Sequence, residues 1–500
     1  MHLGMLLQMA ADGMGERTAL GTRADGITMA DLATRARRAG TIFAGRPGER
    51  IALVDLNSEA VPVALFGAAL ANKPFVPINY RLADDQLRDL VRRTAPATVI
   101  VGEGIAERLG PIDGIELLTR KELLELAVDP EVALADPDAC DPDAVAVLLY
   151  TSGTTGEPKA ALLRHRNLAS YIITTVEYAG AEEDEAAIVS VPPYHIAGIS
   201  SVLSSTYAGR RVVPLETFEP HTWVDVVRSE QVTHAMVVPT MLNRILDVID
   251  ADGAGLPSLR ALSYGGGPMP LAVIERAMAL LPKTGFVNAY GLTETSSTIA
   301  LLGPDDHREA IASDDPAVRA RLTSVGQPLP SVEVSVRDAA GVAVATGERG
   351  EIWVRGEQVS GQYLGRDDSA DEGWFHTRDA GHLDEAGYLY VHGRLDDVIV
   401  RGGENLSPGE IETVLIQHPA VEAAAVVGIP DNEWGEKVVA AVVPVEGAEV
   451  SEQELRDFVR ATLRSTRTPE RIDIRDELPF NETGKLLRRV LRDELAAQFD

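Results

Sequence analysis

The chain has 500 residues, 45% of them hydrophobic, which is too long for one core and ample to build two or more. Lys and Arg total 46 against 76 Asp and Glu, a formal charge of −30 that repels nucleic acid and anionic lipid. A single cysteine, Cys140, excludes a disulfide framework and a cysteine-rich metal site and suits a reducing cytoplasm.

The N-terminal run MHLGMLLQMA has no basic segment and no cleavage-like site, so it predicts a first helix rather than a leader. The apolar stretch at 61–78 is broken by Asn72, Lys73 and three prolines. It falls short of the roughly 18 uninterrupted residues that a membrane span needs. No integral membrane span is expected.

From 145 to 291 apolar strands alternate with amphipathic helices. Strands are predicted at 145–150, 188–191, 211–215, 235–238, 259–264 and 286–290, and helices at 167–178, 198–207, 221–229, 241–250 and 271–281. This alternation predicts an α/β fold with mostly parallel, helix-covered sheets, in which ligands sit beyond the carboxyl ends of strands. Between about 325 and 400 the texture changes to short strands, at 332–336, 350–354 and 388–391, separated by Gly and Asp turns. That is a β-rich subdomain. A second alternation follows: helix 408–417, strands 421–427 and 438–443, helix 452–461 and strand 471–474. It predicts a small α+β domain joined through the polar link at 394–397.

The run TSGTTGEPK at 151–159 is placed at a predicted strand end. Glycines such as Gly153 and Gly156 let backbone N–H groups turn onto an anion, the hydroxyls of Thr151, Ser152, Thr154 and Thr155 add donors, and Lys159 adds a full charge. This is a phosphate grip. It is not a Walker A loop, because no Gly-Lys-Ser/Thr follows at the required spacing. A polar surface turn is the plain alternative.

Four further motifs follow in order: YGLTET at 290–295, GERGEIWVRG at 347–356, GRLDDVIVRGGENLSP at 393–408 and NETGKLLRR at 481–489. Together the five resemble the adenylate-forming superfamily of acyl- and aryl-CoA synthetases, firefly luciferase and peptide-synthetase adenylation domains. The resemblance spans nearly the whole chain. It implies a large N-terminal domain over 1–395, containing the β-rich subdomain, and a small mobile C-terminal domain over 396–500. It also implies a two-step reaction, in which a carboxylate attacks the α-phosphate of ATP to give an acyl adenylate and pyrophosphate, and a thiol then displaces AMP. Positioning and electrostatic stabilisation must supply most of the catalysis.

The roles implied are specific. Thr151, Ser152, Gly153, Thr154, Thr155, Gly156 and Lys159 hold the β- and γ-phosphates. Thr293 donates to the α-phosphate and Glu294 holds Mg²⁺, which favours carboxylate and phosphate oxygens. Gly265, Gly266, Gly267 and Pro268 flank adenine together with Tyr290 and Gly291. Asp379 accepts the ribose hydroxyls, assisted by Arg394. Arg378, before that aspartate, departs from the family's usual glycine, which bears on the local backbone shape. Lys485 bridges carboxylate and α-phosphate oxygens during adenylation. Asp396 is the hinge about which the small domain turns to bring Gly402 and Gly403 to the pantetheine tunnel.

Amino-acid-activating relatives carry an aspartate that pairs with the substrate ammonium, and the corresponding run VPPYHIAG at 191–198 has none. The implied substrate is a fatty or aryl acid, with His195 as a gate beside its carboxylate. A packed core histidine is the alternative. Ala197, Gly198, Met241, Tyr264, Gly265 and Leu292 are expected to shape the acid site. A stand-alone enzyme is expected, with coenzyme A as acceptor and its phosphates meeting Arg401, Arg464, Arg467 and Arg471. Transfer to an acyl carrier protein is the close rival, and an adenylate-binding protein that has lost catalysis is the non-enzyme alternative. Cys140 has no role in forming the thioester, because the acceptor brings its own sulfur.

Overall fold

The structure, a computed structural model, describes residues 1–138, 140–151, 158–365, 372–402, 404–431, 434–445, 447–463, 465–480 and 486–499. Two large sheets dominate it. One has six strands in the order Ile115–Thr119, Ala97–Val101, Arg50–Val54, Phe75–Pro77, Val145–Thr151 and Lys159–Arg164. Its first five strands run parallel and only the last is antiparallel. Ala97–Val101 is buried at every position, the uninterrupted apolar pattern of a strand covered on both faces.

The second sheet has nine strands, with a parallel centre formed by Gly285–Leu292, Ala261–Gly265, His234–Val237, Ala186–Val189, Arg211–Pro214 and Thr18–Leu20. Antiparallel strands, including Ser297–Leu302, close its edges. One apolar core draws on the Leu3–Met14, Met29–Ala44, Ala60–Leu70 and Ile196–Ala208 helices and on strands of both large sheets. The apolar stretch at 61–78 is therefore not a span. It is a fully buried helix that turns at Asn72 into the Phe75–Pro77 strand. Among the described residues no helix is long and apolar enough to cross a membrane.

A four-stranded antiparallel sheet follows in the order Glu333–Arg337, Gly350–Arg355, Phe375–Leu383, Leu389–Arg394. The C-terminal part has a five-stranded sheet built on the Val421–Asp431 and Gly435–Pro444 pair. The Pro408–Ile416, Glu452–Thr462 and Arg488–Phe499 helices pack against it. The α/β architecture, the strand-rich region and the α+β C-terminal domain are those expected from the sequence.

The local differences have simple causes. The alternation from 145 to 291 divides between two sheets, because Val145–Thr151 pairs with the earlier strand Phe75–Pro77 and not with the strands from Ala186 onward. The segment read as a loop entering a helix contains a strand, Lys159–Arg164, that returns antiparallel along Val145–Thr151. The helix begins only at His165. Thr377, Arg378 and Asp379 lie within a further strand, Phe375–Leu383.

Candidate active site

Polar groups collect at the carboxyl ends of the central strands, where a parallel sheet leaves backbone donors and space. At the end of Val145–Thr151, Thr151 stands opposite Lys159, and its hydroxyl donates to the Lys159 carbonyl at 3.4 Å. The glycine-rich run is thus the connection of a β-hairpin with Lys159 at its base. Ser152, Gly153, Thr154, Thr155 and Gly156 lie outside the described residues.

A segment that the sequence did not single out joins this hairpin to Glu294. Leu162 N–H donates to Gln362 and Leu364 N–H to Ala160, each at 2.9 Å, which zips 362–364 along the returning strand. The zip places the Tyr363 ring 5.8 Å from Lys159 Nζ. The Tyr363 hydroxyl donates to Glu294 Oε1. Ser360 N–H donates to the Glu294 carbonyl at 2.9 Å. A cation, an aromatic ring and a buried carboxylate therefore form one unit across two sheets.

Glu294 sits in the short Thr293–Thr295 turn that ends the Gly285–Leu292 strand. Thr295 Oγ1 accepts from Leu292 N–H at 3.0 Å, and Gln358, fully buried, donates to the Thr295 and Thr298 carbonyls at 3.1 and 2.7 Å. Ser296 and Ser297 carry φ of 59° and 125°. Such backbone costs on the order of 1–3 kcal/mol per residue and persists where its surroundings impose it. Thr293 is half-buried, and its hydroxyl makes no hydrogen bond among the described residues.

Asp379 is the hub of a second cluster. It is 7% exposed, its Oδ2 accepts from the Tyr290 hydroxyl at 2.5 Å, and its Oδ1 lies 3.0 Å from Arg394 Nε. The antiparallel register makes the last pair inevitable, since Asp379 stands directly opposite Arg394. Arg394 Nη1 also donates to the Thr377 carbonyl at 2.7 Å. Burial, then the Asp379 charge, pushes the Tyr290 phenol well above its usual pKa, so it remains a donor. Arg378 adopts φ +61°, the left-handed region where glycine is at ease, and its guanidinium lies 3.8 Å from Asp396.

The Gly265-Gly266-Gly267-Pro268 run ends the Ala261–Gly265 strand, with Gly265 opposite Ala289. A Cβ at Gly265 would stand 2.3 Å from the Ala289 carbonyl oxygen, and Gly266 has φ +81°, so neither position accepts a side chain without strain. His195 caps the Ile196–Ala208 helix, its ring 4.6 Å from that of Tyr194. Three residues expected to shape the acid site also pack into apolar clusters. Tyr264 is fully buried with its hydroxyl 2.8 Å from His307 Nε2, and Met241 and Leu292 each pack into an apolar cluster.

In the C-terminal part, Asp396 lies in the Leu395–Asp397 turn between the two smaller sheets. Its neighbour Asp397 is 3.2 Å from Arg488, which also grips Glu412 at 2.6 Å. Gly402 N–H donates to the Trp434 carbonyl at 2.7 Å. Arg401, Arg467 and Arg471 are paired with Glu470, Glu410 and Glu452 at 2.8, 3.2 and 3.1 Å, so none offers an unshared charge to a ligand. Gly403, Arg464 and Lys485 lie outside the described residues; Phe480 and Leu486, on either side of the Lys485 segment, pair as an antiparallel bridge.

Cys140 is buried 3.3 Å from His165 Nε2, with its thiol pushed up to about 12 by burial. That is a packed thiol, not a nucleophile. Among the described residues no cluster of three His, Cys, Asp or Glu is placed to hold a metal alone. Glu294, a buried carboxylate without an ion-pair partner among those residues, instead fits Mg²⁺, which takes one or two protein carboxylates together with substrate phosphates.

The arrangement is that of an α/β enzyme whose polar groups converge where two parallel sheets end. A family model described as AMP-binding enzyme matches residues 7–364, and one described as AMP-binding enzyme C-terminal domain matches 410–485. The chain is 34% identical to a feruloyl-CoA synthase from an Amycolatopsis species, with 93% of each chain covered. It is 33% identical to the fatty acid–[acyl-carrier-protein] ligase ScoC of Streptomyces coeruleorubidus, covering 89% of this chain and 87% of that one. The structure of O-succinylbenzoate coenzyme A synthetase from Bacillus subtilis, in complex with ATP and magnesium ion, superposes with a TM-score of 0.82 at 30% identity, over 98% of this chain and 99% of that one. The chain belongs to the AMP-binding enzyme family.

Proposed function

We propose that the protein is an AMP-forming acid–thiol ligase that activates a fatty or aryl carboxylic acid with ATP and passes the acyl group to coenzyme A. The observation that carries this reading is the unit formed by Lys159, Tyr363 and Glu294, which sets a cation and a carboxylate suited to a metal on one ring.

In the first step a carboxylate oxygen of the acid bonds to the α-phosphorus of ATP as the bond to pyrophosphate breaks. Lys159 and the hairpin hold the β- and γ-phosphates, Thr293 donates to the α-phosphate, and Asp379 with Arg394 fixes the ribose. Tyr290 and the Gly265–Pro268 backbone orient adenine, and His195 borders the acid. Glu294 would hold Mg²⁺, which would supply charge neutralisation on the phosphates. Lys485, from the C-terminal domain, steadies the developing negative charge. In the second step the thiol sulfur bonds to the acyl carbon and AMP leaves. The boundary between the two domains is placed at 395/396, with Asp396 as hinge and the loop of Gly402 and Gly403 facing the incoming thiol.

A carrier-protein thiol is the alternative acceptor, supported by the likeness to a ligase named for one. A cytoplasmic location fits the lone buried thiol. Incubation with ATP, Mg²⁺ and a panel of acids is expected to release pyrophosphate only when an acid is present, and mass analysis of the products is expected to show coenzyme A thioesters. Pyrophosphate release independent of any acid would refute the reading.

A further inference from the structure

The Ile196–Ala208 helix packs on the nine-stranded sheet, with Ser200 Oγ 3.2 Å from Ser297 Oγ, yet leaves space beside that contact. Between them runs a cavity of about 390 Å³, with Ser263, Val287, Ala289 and Thr298 on the sheet side and Ser204 and Ala208 on the helix side. Side chains alternate across a strand, so Ser263 shares a face with Gly265, and Val287 and Ala289 share one with Gly291. Leu262 and Tyr264 point the other way and are fully buried. Thr298 stands opposite Gly291 in register. The cavity therefore opens off the two glycine positions assigned to the adenylate and follows the helix that His195 caps.

Its wall also includes the exposed Glu177 and the half-buried Arg210, the latter already paired with Glu185 at 2.9 Å, and is otherwise rich in hydroxyls where a purely hydrocarbon tail would favour carbon. The Ser263 hydroxyl makes no hydrogen bond among the described residues. Thr298 Oγ1 accepts from Tyr171 at 3.4 Å and donates to no described group. Ser204 gives its proton to the Ser201 carbonyl at 3.3 Å, which leaves its lone pairs open to the cavity. An unsubstituted tail filling this space would displace water and leave these hydroxyls unpaired, whereas a tail bearing its own donor or acceptor would satisfy them.

We infer that this cavity receives the acyl group, and that Ser263 and Thr298 select an acid whose tail carries a hydrogen-bonding substituent, such as a ring or chain hydroxyl, over its unsubstituted counterpart. The inference rests on the acid-activating reading above. The test compares kcat/KM for acid-dependent pyrophosphate release within matched pairs, 4-hydroxycinnamic against cinnamic acid and ω-hydroxyoctanoic against octanoic acid. The hydroxylated member is expected to win in at least one pair by about tenfold or more. Ser263→Ala and Thr298→Val are each expected to shrink that ratio severalfold, and Ser263→Thr, which keeps the hydroxyl, to preserve it. Because the ratio is taken within one variant, general loss of folded enzyme cancels. A ratio near one or reversed in both pairs, or a ratio that neither Ser263→Ala nor Thr298→Val changes, overturns the inference. Absence of release with every acid would instead overturn the ligase reading itself.

Discussion

Replacing Asp379 by asparagine separates a nucleotide-binding role from a structural one. The asparagine carbonyl can still accept from Tyr290, now at 2.5 Å, but an amide N–H then faces Arg394 Nε, now 3.0 Å from carboxylate oxygen. Arg394 keeps only its bond to the Thr377 carbonyl among these contacts. A hydrogen bond from a ribose hydroxyl to a charged acceptor contributes about 1.5–3 kcal/mol, so loss of one weakens ATP binding by about 10- to 150-fold. Some of any loss could come from the disturbed arginine, and a single affinity would not tell the two apart. Equilibrium binding of ATP, 2′-deoxy-ATP and 3′-deoxy-ATP to both proteins does. In the native protein each missing hydroxyl is expected to carry a penalty, and in Asp379→Asn that penalty is expected to shrink by most of its value. A full deoxy penalty retained in the variant would refute the assignment of ribose to Asp379.

Tyr363→Phe removes the hydroxyl that orients the Glu294 carboxylate; the apparent Mg²⁺ requirement is expected to rise about 10- to 100-fold in a metal titration of pyrophosphate release, and an unchanged titration would detach Tyr363 from the metal site. Arg378 holds φ +61°, so Arg378→Gly is expected to be more stable than Arg378→Ala by about 1 kcal/mol in denaturant midpoints, both having lost the contact to Asp396. Equal midpoints would show no strain at that position. His165 is almost wholly buried and its pKa is lowered to about 4, first by burial and then by His2. The unfolded chain therefore binds the extra proton first as pH falls below the free value of 6.5, so stability from the neutral imidazole is complete above that pH and is lost toward pH 4. The loss reaches about 3 kcal/mol, and His165→Gln is expected to flatten this part of the pH–stability curve. A variant with the native slope would contradict the assignment.

The sequence carried the fold where apolar runs are long and bounded by Gly or Pro, as at Ala261–Gly265 and the Leu271–Leu280 helix. It did not carry Lys159–Arg164, because a short strand made by pairing back across a hairpin has no periodicity of its own. The runs at 265–268 and 290–295 stood out in the sequence because each combines unusual residue types where a strand ends. Tyr363 did not, since its partner Glu294 is 69 residues away and nothing local marks the contact. The proposed acid pocket shows how fine the limit is. Tyr264 was expected to line it, yet Tyr264 faces His307 in the core and its neighbour Ser263 faces the cavity. A shift of one residue along a strand exchanges the two faces. The departure at Arg378 was visible in the sequence; its left-handed backbone and its approach to Asp396 needed the fold.

The central claim is that a carboxylate oxygen attacks the α-phosphate of ATP, and an isotope tests it most directly. When the acid carries heavy oxygen in its carboxylate and turnover is run to completion with coenzyme A, one labelled oxygen is expected in each AMP released and none in pyrophosphate. Label in pyrophosphate or inorganic phosphate, or AMP free of label, would contradict the account.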